Sequence, residues 1–460
     1  MDGVPCALSY ELRPGLWLSG CSSVESDHAC STSREAVRGT TFGVARRPAE
    51  VEQDMTVRCG CAALLLSVAL CPGAMAADAD WPCWRGPTRD GRSPDTGLLK
   101  QWPEAGPRKL WQADGIGSGY STVSIGWGAI YTTGDVDGKL RLFALDLDGK
   151  AKWQIDHDNA WTQRKPLGAR ATPTLHDGRL YLLSGNGLLG CRDAGDGKLI
   201  WSRKMSEFGG KTPAWGYSES VLIHDGKAIV TPGGKQCIVA LDAATGELAW
   251  TSEGLDAGAE YGSCIVVQRP NVTAIVGVTK PGMVAVRADN GQKLWTNDYS
   301  RGGGVNVPTP LFSDSHLFWP NGFSKGAICL RLDEDAMPAI AWTTDKDREC
   351  HLGDFVIDQG HLYGHHGGHW KCIELRTGKV KWAEKGVGNG SVTWADGMLY
   401  MFSESRGIAG LAVCTPEKYE PRGRFQVEGR GRSWAHPVVI GGRLYLRYDT
   451  HLYCFDVKTR

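Results

Sequence analysis

The chain has 460 residues with 51 basic and 51 acidic side chains, and it is rich in glycine (61) and tryptophan (18). The balanced charge excludes a protein that binds nucleic acid through phosphate contacts, which need a basic excess, and a hydrophobic share of 42% excludes wholesale disorder. Length alone suggests about three domains, but abundant glycine and widely spaced tryptophans indicate an internal repeat.

The first part of the sequence has the pattern of an export signal behind an extension. Residues 1–54 show no sustained periodicity, and we expect them to be unstructured or absent from the natural product, with translation starting at Met55. A basic start is followed by the apolar run 62–70 and by an A-x-A site ending at Ala76. Residues 55–76 are therefore predicted to be a signal peptide, and the mature chain to be periplasmic or extracellular. The apolar run is shorter than the roughly 20 residues of a membrane span, so no transmembrane segment is expected.

Nine cysteines follow the predicted cleavage site, but their placement does not suggest disulfides. Cys191, Cys372 and Cys454 each stand two residues before an acidic residue, and Ala240 holds the equivalent place in another repeat. A position that alternates cysteine with alanine is a small buried strand position, where a thiol packs as a small hydrophobe. No C-x-x-C pair occurs in this part, so structural zinc and covalent haem have no support.

A motif of the form A-x-D-x-x-T-G-x-x-x-W recurs through the remaining chain, complete at residues 240–250 and nearly so at 372–382. Its tryptophans lie 40 to 49 residues apart, and we expect each to be a wedge between neighbouring units. These expected docking residues are Trp111, Trp153, Trp201, Trp250, Trp295, Trp342 and Trp382. Phe425, 43 residues further on, is a degenerate eighth member. Upstream of each motif, a turn leads into a short apolar strand, which is the pattern of a hairpin.

Four strands per unit of this length are typical of a propeller blade. The sequence therefore predicts an all-β fold, an eight-bladed β-propeller of four-stranded blades over residues 107–460. The C-terminus stops after the third strand of the last unit, and residues 109–112 form a strand that lacks three partners of its own. We expect that strand to complete the last blade and close the ring, which leaves no open edge and favours a monomer. Residues 77–106 are then an extended lead-in.

The repeat resembles that of the PQQ-like propellers, which include quinoprotein alcohol dehydrogenases and BamB-like assembly scaffolds. The resemblance covers residues 107–460, and the stretch Trp81-Pro-Cys-Trp84-Arg-Gly resembles the lead-in of exported proteins with this repeat. It implies either a non-catalytic platform with an envelope protein partner, or a PQQ- and calcium-dependent alcohol or polyvinyl-alcohol-type dehydrogenase. The repeat residues hold blades together, so they do not decide between these functions.

The candidate site is the mouth of the central channel, which the residues that open each first strand should surround. Their polar and aromatic side chains suit a small polar ligand, although a merely hydrated channel is the alternative. The candidate residues are Tyr120, Arg170, Tyr217, Glu219, Tyr261, Asn306, His351, Asp354, Asn389 and His436, with Ser391 and Trp434 beside the last two. Two longer loops, 161–166 and 208–216, are expected to overhang the channel.

His365, His366 and His369 form a dense cluster at a turn of the sixth blade on the same face. Imidazoles with a nearby carboxylate are able to hold a transition metal. Successive strand side chains point in opposite directions, however, so a hydrated turn is the favoured interpretation.

The dehydrogenase alternative needs a carboxylate base and a calcium ion held by oxygen ligands. Glu219, Asn306 and Asp354 have suitable side chains. The adjacent cysteine pair of many quinoprotein dehydrogenases and a haem-attachment motif are both missing, which favours a non-catalytic binding platform. No catalytic residue or certain cofactor follows from the sequence, and the expected partner is a small polar ligand or an envelope protein.

Overall fold

A computed structural model describes residues 80–300, 305–321, 326–344 and 354–460. The predicted extension and signal peptide lie outside them. These residues are almost entirely β-structure, with one four-residue 3₁₀ helix, Met205–Phe208. None of their helical segments has the length and apolarity needed to cross a membrane.

The strands form eight sheets arranged as the blades of a propeller, which confirms the predicted fold. The lead-in contributes β1 (Arg92–Ser93), and the propeller begins with β2 (Arg108–Ala113). Blades one to four comprise β3 (Ser124–Gly126), β4 (Ala129–Val136), β5 (Lys139–Asp146), β6 (Ala151–Asn159); β7 (Thr174–His176), β8 (Arg179–Leu183), β9 (Leu188–Asp193), β10 (Leu199–Lys204); β11 (Leu222–His224), β12 (Lys227–Val230), β13 (Val239–Asp242), β14 (Leu248–Thr251); and β15 (Ile265–Gln268), β16 (Thr273–Val278), β17 (Met283–Arg287), β18 (Lys293–Thr296). Blades five to eight comprise β19 (Leu311–Ser313), β20 (His316–Pro320), β21 (Ala327–Leu332), β22 (Pro338–Thr343); β23 (Val356–Asp358), β24 (His361–His366), β25 (His369–Glu374), β26 (Val380–Glu384); β27 (Gly390–Ala395), β28 (Met398–Ser403), β29 (Ile408–Val413), β30 (Pro421–Gln426); and β31 (Val438–Ile440), β32 (Arg443–Tyr448), β33 (His451–Asp456) with β2.

The first two strands of the described chain each pair with a blade near its C-terminus. Strand β2 pairs antiparallel with β33, with Trp111 opposite Cys454, and supplies the fourth strand of blade eight. Strand β1 pairs parallel with β27, the first strand of blade seven, with Arg92 opposite Trp394. The two ends of the propeller chain are thereby held in one sheet.

Each repeated tryptophan docks on the next blade by a hydrogen bond from its indole nitrogen. The Nε1–H groups donate to main-chain carbonyl oxygens at 2.8–3.3 Å. The pairs are Trp111 with Leu147, Trp153 with Ala194, Trp201 with Ala243, Trp250 with Ala288, Trp295 with Ala336, Trp342 with Leu375 and Trp382 with Thr415. The indole thus meets a carbonyl acceptor in the turn of the neighbouring blade, and in two of the pairs a tyrosine hydroxyl donates to the same oxygen.

Glycine in the motif makes room for that indole. Gly246 has φ +74°, and a Cβ there would lie 2.6 Å from the ring of Trp201. Any other residue would be strained by its backbone and would clash with the docked ring. At the eighth site Phe425 replaces tryptophan, and Gly106 of the lead-in takes the glycine role, with its would-be Cβ 2.6 Å from the phenyl ring. The apolar contact survives there without the indole hydrogen bond.

The cysteines of the described residues are free, and all but the half-buried Cys414 are buried. Cys191, Cys372 and Cys454 are completely buried in their strands. Burial raises the pKa of the Cys191 thiol to about 11, so it packs as a neutral apolar group.

Replacing one docking tryptophan tests this architecture. Trp250→Ala removes a buried ring, and we expect it to lower the free energy of unfolding by about 3–5 kcal/mol. Trp127→Ala is the matched control, because Trp127 is 48% exposed and should change stability by at most about 0.5 kcal/mol. Thermal and denaturant unfolding of both variants measure the difference, and similar losses in the two would refute the docking role.

Candidate functional site

The central channel holds a cavity of about 430 Å³, within the size range of small-molecule sites. Its lining combines aromatic rings, hydroxyls and charged groups. The lining residues are Trp84, Tyr120, Pro166, Arg170, Trp215, Ser218, Ser220, Tyr261, Ser263, Val305, Val307, Thr309, Asp354, Glu404, Arg432 and Trp434.

Most of this lining comes from the segments that lead into the first strand of each blade. Extended chain points alternate side chains to opposite sides, so every second residue of such a segment faces the channel. A mouth layer stands four residues before the first strands and comprises Tyr120, Arg170, Ser218, Tyr261, Val307 and Trp434. Two residues further along, the side chains accept hydrogen bonds from the neighbouring blade, and several of them also line the channel.

That second layer forms a hydrogen-bonded belt around the channel. In each of blades one to five, a main-chain N–H donates to a side-chain oxygen at the same position of the next blade, over 3.0–3.3 Å. The polar belt consists of Thr122, Thr172, Ser220, Ser263, Thr309 and Asp354. It ties blades one to six together at the channel wall and fixes the angle at which the mouth layer faces the cavity.

The far end of the channel is closed by residues 81–92 of the lead-in, which we call the plug. Trp81 exchanges main-chain hydrogen bonds of 2.8 Å with Ile125 of blade one. Two blades further round the ring, the buried Arg89 guanidinium donates to the carbonyls of Ser220 (2.7 Å) and Val221 (2.8 Å) in blade three. Main-chain groups of two blades thus hold the plug on the channel wall.

A buried ion pair fastens the plug to blade six. Arg85 Nη1 lies 3.0 Å from Asp354 Oδ2, with both side chains almost fully buried, and the same guanidinium donates to the Phe355 carbonyl. Burial raises the pKa of Asp354 above its ordinary value, while Arg85 and the Thr309 N–H oppose that shift. Removing either partner would leave a buried charge without compensation.

Next to this pair, Trp84 forms the floor of the cavity. It is half-buried and lines the cavity, and its ring packs edge-on against His436 with centroids 4.5 Å apart. The cavity is therefore open towards the mouth layer and closed by an indole on the plug side.

Two aromatic pairs flank the mouth. Tyr120 and Trp434 come from blades one and eight, with centroids 4.3 Å apart, and Trp215 and Tyr261 come from the segments before blades three and four, 6.0 Å apart. The overhanging loops meet at Trp215, whose indole donates to the Lys165 carbonyl at 3.0 Å. The pocket thus presents flat apolar surfaces on two sides.

Arg170 is a cation of the pocket wall, and Asp135 is a carboxylate that interacts with it electrostatically. Its guanidinium donates to the carbonyls of Gly168 (2.8 Å) and Pro166 (2.5 Å), and no described carboxylate lies within ion-pair distance. Burial lowers its pKa. By contrast, Arg432 is paired with Glu404 at the rim. Because Asp135 forms no salt bridge with Arg170, the guanidinium would still attract an anion that enters the cavity.

Four sequence candidates line the cavity: Tyr120, Arg170, Tyr261 and Asp354. Another, His351, lies outside the described residues. Asn389 is half-buried and is absent from the lining, and His436 contacts the floor indole.

The remaining three candidates point between the blades, which corrects the expected placement. Glu219 is buried and accepts hydrogen bonds from the main-chain N–H of Thr231 (2.8 Å) and Cys264 (3.3 Å). Tyr217 packs into the core between blades two and three. Asn306 is fully buried and donates to neighbouring carbonyls. They occupy the alternate phase of the strands, so their neighbours Ser218, Ser220 and Val307 face the channel instead.

The donor set expected for calcium therefore does not assemble. Glu219 and Asn306 are committed to the chain between blades, while Asp354 pairs with Arg85. Across the described residues, no three His, Cys, Asp or Glu side chains are grouped to hold a metal ion. These residues do not fit a calcium ion in the expected way.

The histidine cluster is buried, and the hydrated-turn interpretation is wrong for two of its members. His365 and His366 end strand β24 with 4% and 3% exposure. His365 packs on Trp370, and His366 packs on Phe355 in the adjacent core on the other side of the blade. Half-buried His369 starts β25. The two imidazoles point apart because they are neighbours on one strand.

A buried carboxyl group beside the mouth layer makes stability depend on pH. Glu260 accepts the Asn306 N–H at 2.9 Å, and burial raises its pKa from 4.5 to about 7. Because the folded chain binds this proton more tightly than the unfolded chain, its contribution is full below pH 4.5 and is lost as pH rises to about 7.

We expect Glu260→Gln to stabilise the protein at pH 8 by about 2–3 kcal/mol and to have little effect at pH 4. Exposed Glu253→Gln is the control and should change stability at neither pH. Denaturant unfolding at both pH values measures the effect, and equal stabilisation by Glu260→Gln at the two would contradict it.

The profile of the family described as outer membrane protein assembly factor BamB matches residues 136–384, 249 of the 460. No curated protein sequence matches. The solved BamB of Moraxella catarrhalis is similar in fold (TM-score 0.56, 14% identity, covering 76% of this chain and 98% of that one).

Quinohemoprotein alcohol dehydrogenases share the same ring. Those of Comamonas testosteroni (TM-score 0.62, 13% identity) and Pseudomonas putida HK5 (TM-score 0.56, 14% identity) each cover 83% of this chain and 81% of their own. At these identities the similarity concerns the fold alone. Since the profile spans more than half of the sequence and the repeat forms eight blades, the chain belongs to the BamB-like family of PQQ-type β-propellers.

Proposed function

We propose that this protein is an exported binding platform whose channel pocket takes a small anionic ligand with a flat apolar body. The observation that carries the proposal is a pocket closed by the plug at one end, with Arg170 facing it and forming no salt bridge with a described carboxylate. Export rests on the signal peptide predicted over residues 55–76 and accords with the outer-membrane role named in the family description.

The chemistry of the wall supports this ligand class. A carboxylate or sulfonate beside Arg170 would receive charge-assisted hydrogen bonds, each contributing about 1.5–3 kcal/mol. The aromatic pairs Tyr120–Trp434 and Trp215–Tyr261 offer faces and edges to a planar group. Hydroxyls of Ser218 and Ser220 line the same space and would orient polar substituents.

A PQQ-dependent dehydrogenase is the alternative that the fold keeps open, because quinohemoprotein alcohol dehydrogenases share the ring. The quinone carboxylates would suit Arg170, but the expected calcium ligands are dispersed. Incubation with PQQ and Ca²⁺, followed by an assay of alcohol-dependent dye reduction, separates the two functions. We expect no turnover, and sustained alcohol oxidation would overturn the proposal.

A protein partner is a second candidate, favoured by the family description as an assembly factor. The overhanging loops 161–166 and 208–216 contribute Pro166 and Trp215 to the mouth and would be the contact surface. Co-purification of a defined envelope protein, lost when loop residue Trp215 is replaced, would favour this scaffold role over small-ligand binding.

Arg170→Gln tests the ligand class directly. With naphthoate as the probe, we expect the loss of the guanidinium to weaken binding by about 10- to 100-fold, the equivalent of one charge-assisted hydrogen bond. Arg424→Gln is the matched control, because Arg424 is exposed on the outer strand β30 and does not line the cavity, and it should change affinity by less than about threefold. Equal effects of both variants in calorimetric titrations would argue against a specific anion site.

A further inference from the structure

We infer that Trp84 of the plug sets the depth of the pocket and selects ligands by length. This inference rests on the proposed function and names the residue that limits the ligand. Trp84 is part of the lead-in and belongs to no blade, yet it lines the cavity that the blades enclose. The ring alone would leave a channel, and the indole turns it into a pocket of fixed depth.

The floor is held from several directions, so it acts as a stop and does not yield to the ligand. Its ring abuts His436 of blade eight. The next residue, Arg85, is tied to Asp354 and to the Phe355 carbonyl of blade six. Arg89 is tied to blade three by two hydrogen bonds. Contacts to three separate blades fix the height of the indole in the channel.

The position of the anion site makes this depth measurable. Arg170 belongs to the mouth layer. Trp84 lies deeper, at the level of the polar belt, because its ring packs on His436 and the next residue, Arg85, pairs with the belt residue Asp354. A ligand whose carboxylate binds Arg170 would extend inward towards Ser220 and Ser263 until it meets the indole. Ligands longer than this distance lose the carboxylate contact or fail to enter.

Calorimetric titration of the full chain with benzoate, phenylacetate, phenylpropionate and phenylbutyrate tests the inference. In the unmodified protein, affinity should rise by about fourfold per added methylene and then stop rising or fall. In Trp84→Ala the rise should continue to longer members, because the space filled by the indole becomes available. Trp84→Phe removes less volume, should lie between the two, and serves if the alanine variant does not fold.

Trp127→Ala is the control for loss of an indole outside the cavity and should keep the original length dependence. If the Trp84 variants bind the series but keep that dependence as well, the floor role is wrong while the binding function stands. If the unmodified protein binds no member of the series, the proposed function itself fails, and the inference with it.

Discussion

The whole molecule depends on one contact repeated around the ring, a tryptophan of one blade docked against a glycine turn of the next. The indole fills the space that a side chain on that glycine would occupy, and its N–H satisfies a carbonyl of the same turn. Each blade is thereby held at a fixed angle to its neighbour, and eight such angles close a circle. Where the tryptophan is replaced by Phe425, the lead-in supplies Gly106 to the same contact.

From this ring the channel wall follows. The blades converge at their first strands, and the polar belt joins them there through main-chain donors and small hydroxyls. Small residues at the belt leave the centre open, while the mouth layer carries larger side chains that differ from blade to blade. The repeated structural contacts of the polar belt and the varied side chains of the mouth layer therefore lie only two residues apart along the chain. The plug, which is not part of any repeat, then closes the channel through Arg85 and Arg89.

The sequence was enough to predict the blade count and the docking tryptophans, because those depend on spacing and local turns. The orientation of the channel residues was not predictable, since both phases of the segment around Ser218, Glu219 and Ser220 are polar and give no alternating pattern. The belt hydrogen bonds between distant segments decide which phase faces the channel. The path of the plug is equally nonlocal, because Arg85 and Arg89 find partners far along the chain. Trp84 was visible in the sequence only as part of a lead-in resemblance.

We propose that the channel of this BamB-like propeller is a ligand pocket with its anion site at Arg170. A crystal structure of the protein soaked with naphthoate tests it most directly. We expect electron density for naphthoate inside the cavity, with its carboxylate within hydrogen-bonding distance of Arg170 and its rings above Trp84. Naphthoate bound only outside the channel, with the cavity filled by water, would contradict it.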